Sequence, residues 1–439
     1  MSATSIREIA RKRLEEKENS SSKTPRMGLS HFDPSRAKTS STQDLLEVVG
    51  EDVHRFSYGQ FQEVQGDSCI IALVSERGEY ELEENSSEIR RLAQTLGLQC
   101  LELLAIHPKR KPVPATYLGS GTLEKIAETM AKRSITALIV DAPLSPAQVR
   151  NMEKILNRPV VDREGVILSI FSRHAQSALS QIQVELAYLK YLQPRLTGMW
   201  SGLSRQRGAR GGLGGRGLGE SRLELDRRVV KDRISSLTKK LKQAEKSLSV
   251  QSNKRSALPR VALVGYTNAG KSSLMQKLSG VEVEARNELF STLDTTVKQM
   301  QPPTEPPILV SDTVGFVRDL PHDLVATFKT TLREASESRL LLHVLDGSAT
   351  DWYEQFETTE SVLQELGMNQ DNRILVVNKM DKLGLRFRLR YAEIVRNLSK
   401  HPQYVSRVAV SAVTGEGLEV LKREIIRFCG VKIPDWLQS

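Results

Sequence analysis

Only three of the 439 residues are cysteine (Cys69, Cys100 and Cys429), and none forms a CxxC pair. An odd, widely spaced set excludes a disulfide framework and a cysteine zinc site, and it fits a reducing compartment. The seven histidines are scattered without an HExxH spacing, which argues against a histidine metal site. No apolar run approaches the roughly 18–20 residues of a bilayer-spanning helix, so a soluble protein is expected. Aromatics are sparse at 5%, yet hydrophobic residues reach 39% and charged ones 26%. That balance is globular, and the length asks for two or three domains. The first residues lack the apolar core of a secretory signal, and Glu8, Glu15, Glu16 and Glu18 argue against a transit peptide. A cytoplasmic location is the expectation.

What the chain has in excess is positive charge, with a formal net of +10. Its location matters more than its size. Residues 201–256 hold 15 Lys+Arg against 5 Asp+Glu, whereas 1–200 hold 26 against 25 and 257–439 hold 22 against 23. The whole excess sits in one stretch, and a localised block points to a polyanionic partner.

Five segments follow from the pattern. Residues 1–65 read as a flexible basic and polar extension with one short helix near Ile6–Glu18. In 66–163, apolar runs at Cys69–Val74, Leu101–Ile106 and Ala137–Asp141 alternate with amphipathic stretches, which predicts a small α/β subdomain with a mostly parallel sheet. Its Tyr117-Leu118-Gly119-Ser120-Gly121-Thr122 is an incomplete phosphate motif, better read as a tight loop capped by Thr122. Residues 164–256 carry two apolar seams at steps of three and four. One runs from Leu168 to Leu189 and the other from Val230 to Leu248, predicting two long matched helices in an antiparallel hairpin. A GTPase-like α/β unit spans 257–430, and 431–439 is a tail.

The hairpin tip, Thr197–Gly219, is compositionally extreme. From Arg195 to Gly219 there are nine glycines, five arginines and no carboxylate. Glycine keeps the backbone adaptable, while Arg195, Arg205, Arg207, Arg210 and Arg216 offer forks for phosphate and flat faces for bases. Trp200 adds a stacking surface. A solvated flexible loop explains the glycines but not the one-signed charge, so these six residues are candidate RNA contacts.

After Pro259, the strand Val261–Val264 runs into Gly265-Tyr266-Thr267-Asn268-Ala269-Gly270-Lys271-Ser272-Ser273, the P-loop pattern between a strand and a helix. Lys271 would reach the β- and γ-phosphate oxygens, and Ser272 would bind Mg²⁺. A second strand ends in Asp312-Thr313-Val314-Gly315, where Asp312 would hold Mg²⁺ through water and the Gly315 N–H would meet the γ-phosphate. A third ends in Asn378-Lys379-Met380-Asp381, whose carboxylate can accept from N1–H and the exocyclic amine of guanine. A fourth delivers Ser411-Ala412-Val413, with the Ala412 N–H aimed at guanine O6. Four motifs in order, each at a strand's C-terminal end, imply a guanine-nucleotide site. Between the first two lies Phe290-Ser291-Thr292-Leu293-Asp294-Thr295-Thr296. Thr292 is preferred as the switch ligand of Mg²⁺ and γ-phosphate, with Thr295 and Thr296 as alternatives. Lys271, Thr292 and Gly315 are the candidate catalytic groups. Asn268 is a candidate K⁺ ligand or a plain loop cap. The side chain of Phe316, where many GTPases place glutamine, can neither give nor take a hydrogen bond.

These residues resemble the HflX-type GTPases, a ribosome-associated branch of the translation-factor-related P-loop GTPases, over roughly residues 66–430. The P-loop and Asp312-Thr313-Val314-Gly315-Phe316 carry part of the likeness. Gln183-Val184-Glu185-Leu186-Ala187, Pro194-Arg195-Leu196-Thr197-Gly198-Met199-Trp200 and Leu203-Ser204-Arg205-Gln206 make it specific. The resemblance implies GTP hydrolysis, binding to the large ribosomal subunit and rRNA and, in several members, splitting of stalled or idle 70S ribosomes; a monomer is expected. A large-subunit assembly GTPase and a nucleotide-gated RNA-binding module remain open. Asp294-Thr295-Thr296 departs from the family's Asp-Pro-Thr, and the tip lacks the family's proline before its last glycine.

Overall fold

Runs of Ile, Leu and Val at period-free spacing become strands covered on both faces, and two such sheets organise the chain. The computed structural model describes residues 68–74, 79–106, 112–196, 215–254, 258–281, 289–290, 293–321, 324–325, 333–368 and 372–432. The extension 1–65 with its expected helix, most of the tip and most of the tail lie outside the described residues.

The first sheet is four-stranded and parallel, in the order β2-β1-β3-β4. Its strands are β1 (Ser68–Val74), β2 (Gln99–Ile106), β3 (Ala137–Val140) and β4 (Val160–Asp162). Between them run α1 (Glu79–Thr95), α2 (Ser120–Lys132) and α3 (Pro146–Leu156). Helix α2 begins at Ser120 behind Gly119, so Thr122 lies inside the first turn and caps nothing. The sequence-based cap is corrected accordingly.

The predicted first arm of the hairpin also needs correction. It is two helices, α4 (Arg163–His174) and α5 (Ala178–Leu192), separated by an extended Ala175 and a fresh N-cap at Ser177. The apolar period runs through the break because both helices face the same interior. Periodicity alone cannot see a three-residue change of direction. The second arm, α6 (Gly215–Lys254), is 40 residues long, about 60 Å at 1.5 Å per residue. It absorbs Gly215–Gly219, which the sequence had placed in the tip. Helix α6 packs on α5 through buried Val230, Leu237 and Leu241, and Arg233 grips Glu185 with two hydrogen bonds of 2.7 and 2.9 Å.

The second sheet has the order β10-β9-β8-β5-β7-β6. The strands are β5 (Arg260–Gly265), β6 (Thr296–Gln299), β7 (Leu309–Asp312), β8 (Leu340–Asp346), β9 (Arg373–Asn378) and β10 (Tyr404–Ala409). All neighbours are parallel except β6, which runs antiparallel to β7 at the edge. Central β5 is buried from Val261 to Gly265, and α7 (Lys271–Ser279) and α11 (Leu418–Cys429) cover one face. Strands β5, β7, β9 and β10 therefore finish at one edge of the domain, where the four motifs that follow them meet. Between them in sequence lie α8 (Arg333–Ser336), α9 (Trp352–Glu365) and α10 (Phe387–Asn397). Among the described residues no helix is long and apolar enough to cross a membrane.

Candidate functional site

Two glycines of the P-loop are dictated by space as well as by backbone angle. Gly265 has φ +147, and a Cβ there would lie 2.2 Å from the Val344 carbonyl oxygen. Gly270 has φ +93 and would collide with Asn378 Nδ2 at 2.4 Å. No L side chain fits either place. Lys271 opens α7, and its ammonium donates to the Gly265 and Tyr266 carbonyls at 3.1 and 2.9 Å. Burial pulls its pKa down to about 8, partly opposed by Asp312 and reinforced by Lys379. An incoming phosphate would supply the negative charge that this buried cation lacks.

Ser272 Oγ donates to Asp312 Oδ2 at 2.7 Å, so the hydroxyl of α7 and the carboxylate at the end of β7 converge. A carboxylate beside a hydroxyl is a hard oxygen set, and these residues fit Mg²⁺. Thr313 turns inward, donating to the Leu263 carbonyl, and Val314 is buried. Gly315 lies against the loop: a Cβ there would sit 2.8 Å from Thr267 Cα and 3.0 Å from Lys271 Nζ.

The base-side motifs are stapled together by one amide. Asn378 Nδ2 donates to the Ala269 carbonyl at 2.9 Å, and its Oδ1 accepts from the Ala412 N–H at 3.1 Å. The Ala412 N–H expected to meet guanine O6 thus already has Asn378 Oδ1 as a neighbour. Asp381 is held by Ser411, whose hydroxyl donates to Oδ1 at 2.6 Å. A carboxylate has acceptor capacity beyond one such bond. Met380 is buried beneath the motif, while Val413 is exposed.

The first switch segment is only partly seen. Ser291 and Thr292 lie outside the described residues, and Ser273 is half-buried in α7. Thr296 opens β6 directly opposite Asp312, with Thr295 just before it. Phe290 is buried, donates its N–H to Thr267 Oγ1 at 3.1 Å and packs on Phe171 of α4 at 4.5 Å between ring centres. Leu293 is buried too. Asp294 was expected among the nucleotide-binding residues, but its carboxylate points elsewhere. It accepts from the Gln176 N–H, the Ser177 N–H and the Ser177 hydroxyl, at 3.2, 3.0 and 2.5 Å. These donors stand at the N-terminus of α5, where unsatisfied amides favour an anion.

A family model described as "GTP-binding GTPase N-terminal" matches residues 83–172, one described as "GTP-binding GTPase Middle Region" matches 174–255, and one described as "50S ribosome-binding GTPase" matches 260–379. The GTPase HflX of Magnetococcus marinus is 43% identical over 78% of this chain and 77% of its own. That of Escherichia coli is 38% identical over 77% of each. The chain belongs to the HflX GTPase family. It is also similar to a GTP-binding protein from Sulfolobus solfataricus crystallised with GDP, at 26% identity and a TM-score of 0.44 over 82% of this chain and 98% of that one. As an HflX GTPase, the protein binds guanine nucleotide and hydrolyses GTP.

Several residues of this HflX site carried no local sequence signal. Asp346, at the end of β8, pairs with Lys379 at 2.9 Å and accepts from Ser348 N and Oγ. Lys379 is thereby fixed across the mouth of the loop in a left-handed conformation (φ 60). A cavity of about 270 Å³ opens beside it, bounded by Asn268, Asp346, Tyr266 and the α1 residues Glu88 and Arg91. Tyr266 itself turns away from the loop, and its hydroxyl donates to Glu88 at 2.7 Å. Burial first, then Glu88, raises the Tyr266 pKa well above the usual phenol value.

Of the six candidate RNA contacts, Trp200, Arg205, Arg207 and Arg210 lie outside the described residues. Arg216 falls within α6. Arg195 is corrected: its guanidinium is turned inward, 2.8 Å from Asp162, 3.0 Å from the Leu144 carbonyl and stacked 3.5 Å over Tyr191. With Asp162 fully buried, this is a structural ion pair, and removing one partner of such a pair costs about 3–5 kcal/mol.

Proposed function

We propose that the protein acts on the large ribosomal subunit, with GTP ordering its two switches and the helical arm carrying the tip toward rRNA, so that stalled or idle 70S ribosomes come apart. The observation that carries this reading is Asp294. A residue of the first switch segment sits as an anionic cap on α5, the helix that leads into the arginine-rich tip. Any nucleotide-dependent movement of that segment must release or drag the base of the arm.

In this reading Gly265–Ser273 wraps the phosphates, Lys271 neutralises their oxygens, and Gly315 presents its N–H to the γ-phosphate. Ser272 and Asp312, joined by Thr292 or its neighbours Thr295 and Thr296, would hold Mg²⁺, which would supply positive charge against the phosphates. Lys379 lies along the base, and Asp381 reads guanine. Phe316 offers no group to orient water, so intrinsic turnover is slow and the ribosome raises it by ordering the switches. Binding energy displaces the small subunit; hydrolysis permits release.

Sedimentation of 70S ribosomes with saturating protein and either GTP or a non-hydrolysable analogue tests this. Free subunits with both nucleotides are expected. Intact 70S in both cases removes the splitting role, and retention on precursor particles would instead favour assembly. A second expectation concerns Asn268, held at φ 58 beside the cavity. If it helps bind K⁺, single-turnover hydrolysis in potassium buffer exceeds that in matched sodium buffer; equal rates remove K⁺ from the mechanism.

A further inference from the structure

Burying an arginine is costly unless its charge is matched, yet Arg163 is 2% exposed and lies among charges drawn from both sheets. Its guanidinium meets Glu88 of α1 at 2.9 Å and Asp141, just past β3, at 2.7 Å. Its Nε donates to the carbonyl of Arg318 at 3.2 Å. Arg318 follows Gly315 by three residues and returns a contact of its own, 3.1 Å from Asp141. Burial opposes the charge on Arg163, but Glu88 and Asp141 more than offset it, so the group stays firmly cationic.

The consequence is best seen on the backbone of the second switch. Phe316 N–H donates to the Gly265 carbonyl at 3.1 Å, and the Phe316 carbonyl accepts from Thr267 N–H at 2.6 Å. The Arg318 N–H donates to the Tyr266 hydroxyl at 2.9 Å, while that hydroxyl donates to Glu88. Phe316 and Arg318 are thus tied to the P-loop on one side and, through the Tyr266 hydroxyl, to Glu88 of α1 on the other. Gly315, whose N–H would meet the γ-phosphate, is the residue immediately before this clamp.

We infer that Glu88, Asp141 and Arg163 of the N-terminal α/β subdomain are positioning residues for GTP hydrolysis, acting through Tyr266 and Arg318 to fix the Gly315–Arg318 segment. The inference rests on the nucleotide-site reading above and deepens it. None of the three needs to touch nucleotide. They decide where a donor to the γ-phosphate stands, and small misplacements of such donors cost rate more than binding.

The test is single-turnover GTP hydrolysis by the full-length chain, without ribosomes, together with GDP affinity and thermal midpoint. Asp141→Asn keeps size but weakens the hold on both arginines. It should lower the hydrolysis rate about tenfold while GDP affinity stays within about twofold. In an Arg318→Ala background the same change should have little further effect on rate, because its path to Gly315 is already cut. Tyr266→Phe removes only the bridging hydroxyl and guards against a folding failure of the first variant; it too should slow hydrolysis and spare GDP binding. Rates unchanged in both variants, a fall in midpoint alone, or full additivity with Arg318→Ala would overturn the inference. A wild-type chain that turned over no GTP would overturn the site reading and this one together.

Discussion

Asp381→Asn should weaken GTP binding by about 100- to 1,000-fold and turn the site's preference toward xanthosine triphosphate. A carboxylate accepts from both N1–H and the exocyclic amine of guanine, and hydrogen bonds to a charged group contribute about 1.5–3 kcal/mol each. An asparagine keeps one acceptor and turns a donor toward the amine. Xanthine carries a carbonyl at that position, which the new N–H can satisfy. The surroundings should tolerate the change, because Ser411 donates to Asp381 Oδ1 at 2.6 Å and can donate equally to an amide oxygen. Competition of GTP, GDP and xanthosine triphosphate against a fluorescent nucleotide measures the exchange. A GTP affinity changed by less than about threefold would show that Asp381 does not read the base.

The second large effect concerns the tip. Deleting 197–214 should abolish most ribosome binding and leave nucleotide affinity within about twofold. The deletion spares Gly215–Gly219 because those residues belong to α6, and it spares Arg195 because that side chain holds Asp162. It removes Arg205, Arg207 and Arg210. If each meets one phosphate, the slope of log affinity against log salt should fall by about 2–3. The GTPase region is close to neutral, with 22 Lys+Arg against 23 Asp+Glu in 257–439, so it must hold nucleotide by local geometry rather than by bulk field. Filter binding of ribosomes over a salt series, beside nucleotide titrations, checks both halves. An equal loss of nucleotide affinity would show that tip and site are one unit.

The GTPase half was legible because each motif is local. A P-loop needs its glycines where φ is positive and where no Cβ fits, and Gly265 and Gly270 meet both demands within one turn of chain. Strands buried on both faces read as unbroken Ile, Leu and Val runs, so β5, β7 and β9 were visible as well, whereas β8 was not singled out. The broken arm was not visible. Ala175–Ser177 interrupts α4 and α5 without interrupting the apolar period, and the amides exposed at the break meet a carboxylate 117 residues downstream. Arg195 misled for a related reason. In sequence it opens an arginine-rich run, and only folding shows that Asp162, Leu144 and Tyr191 have enclosed it.

The sequence by itself determined the nucleotide chemistry, the parallel α/β character of both halves, and the placement of the charge excess in residues 201–256. Each depends on spacings of a few residues, which covalent geometry carries into space almost unchanged. Tertiary structure alone decided what each polar group is spent on. It gave the Ala412 N–H to Asn378, Asp294 to the start of α5, and Tyr266 with Arg318 to a buried charge cluster reaching back to Glu88, Asp141 and Arg163. Those partners lie tens to hundreds of residues apart, and a buried charge takes whichever opposite charge the packing brings beside it.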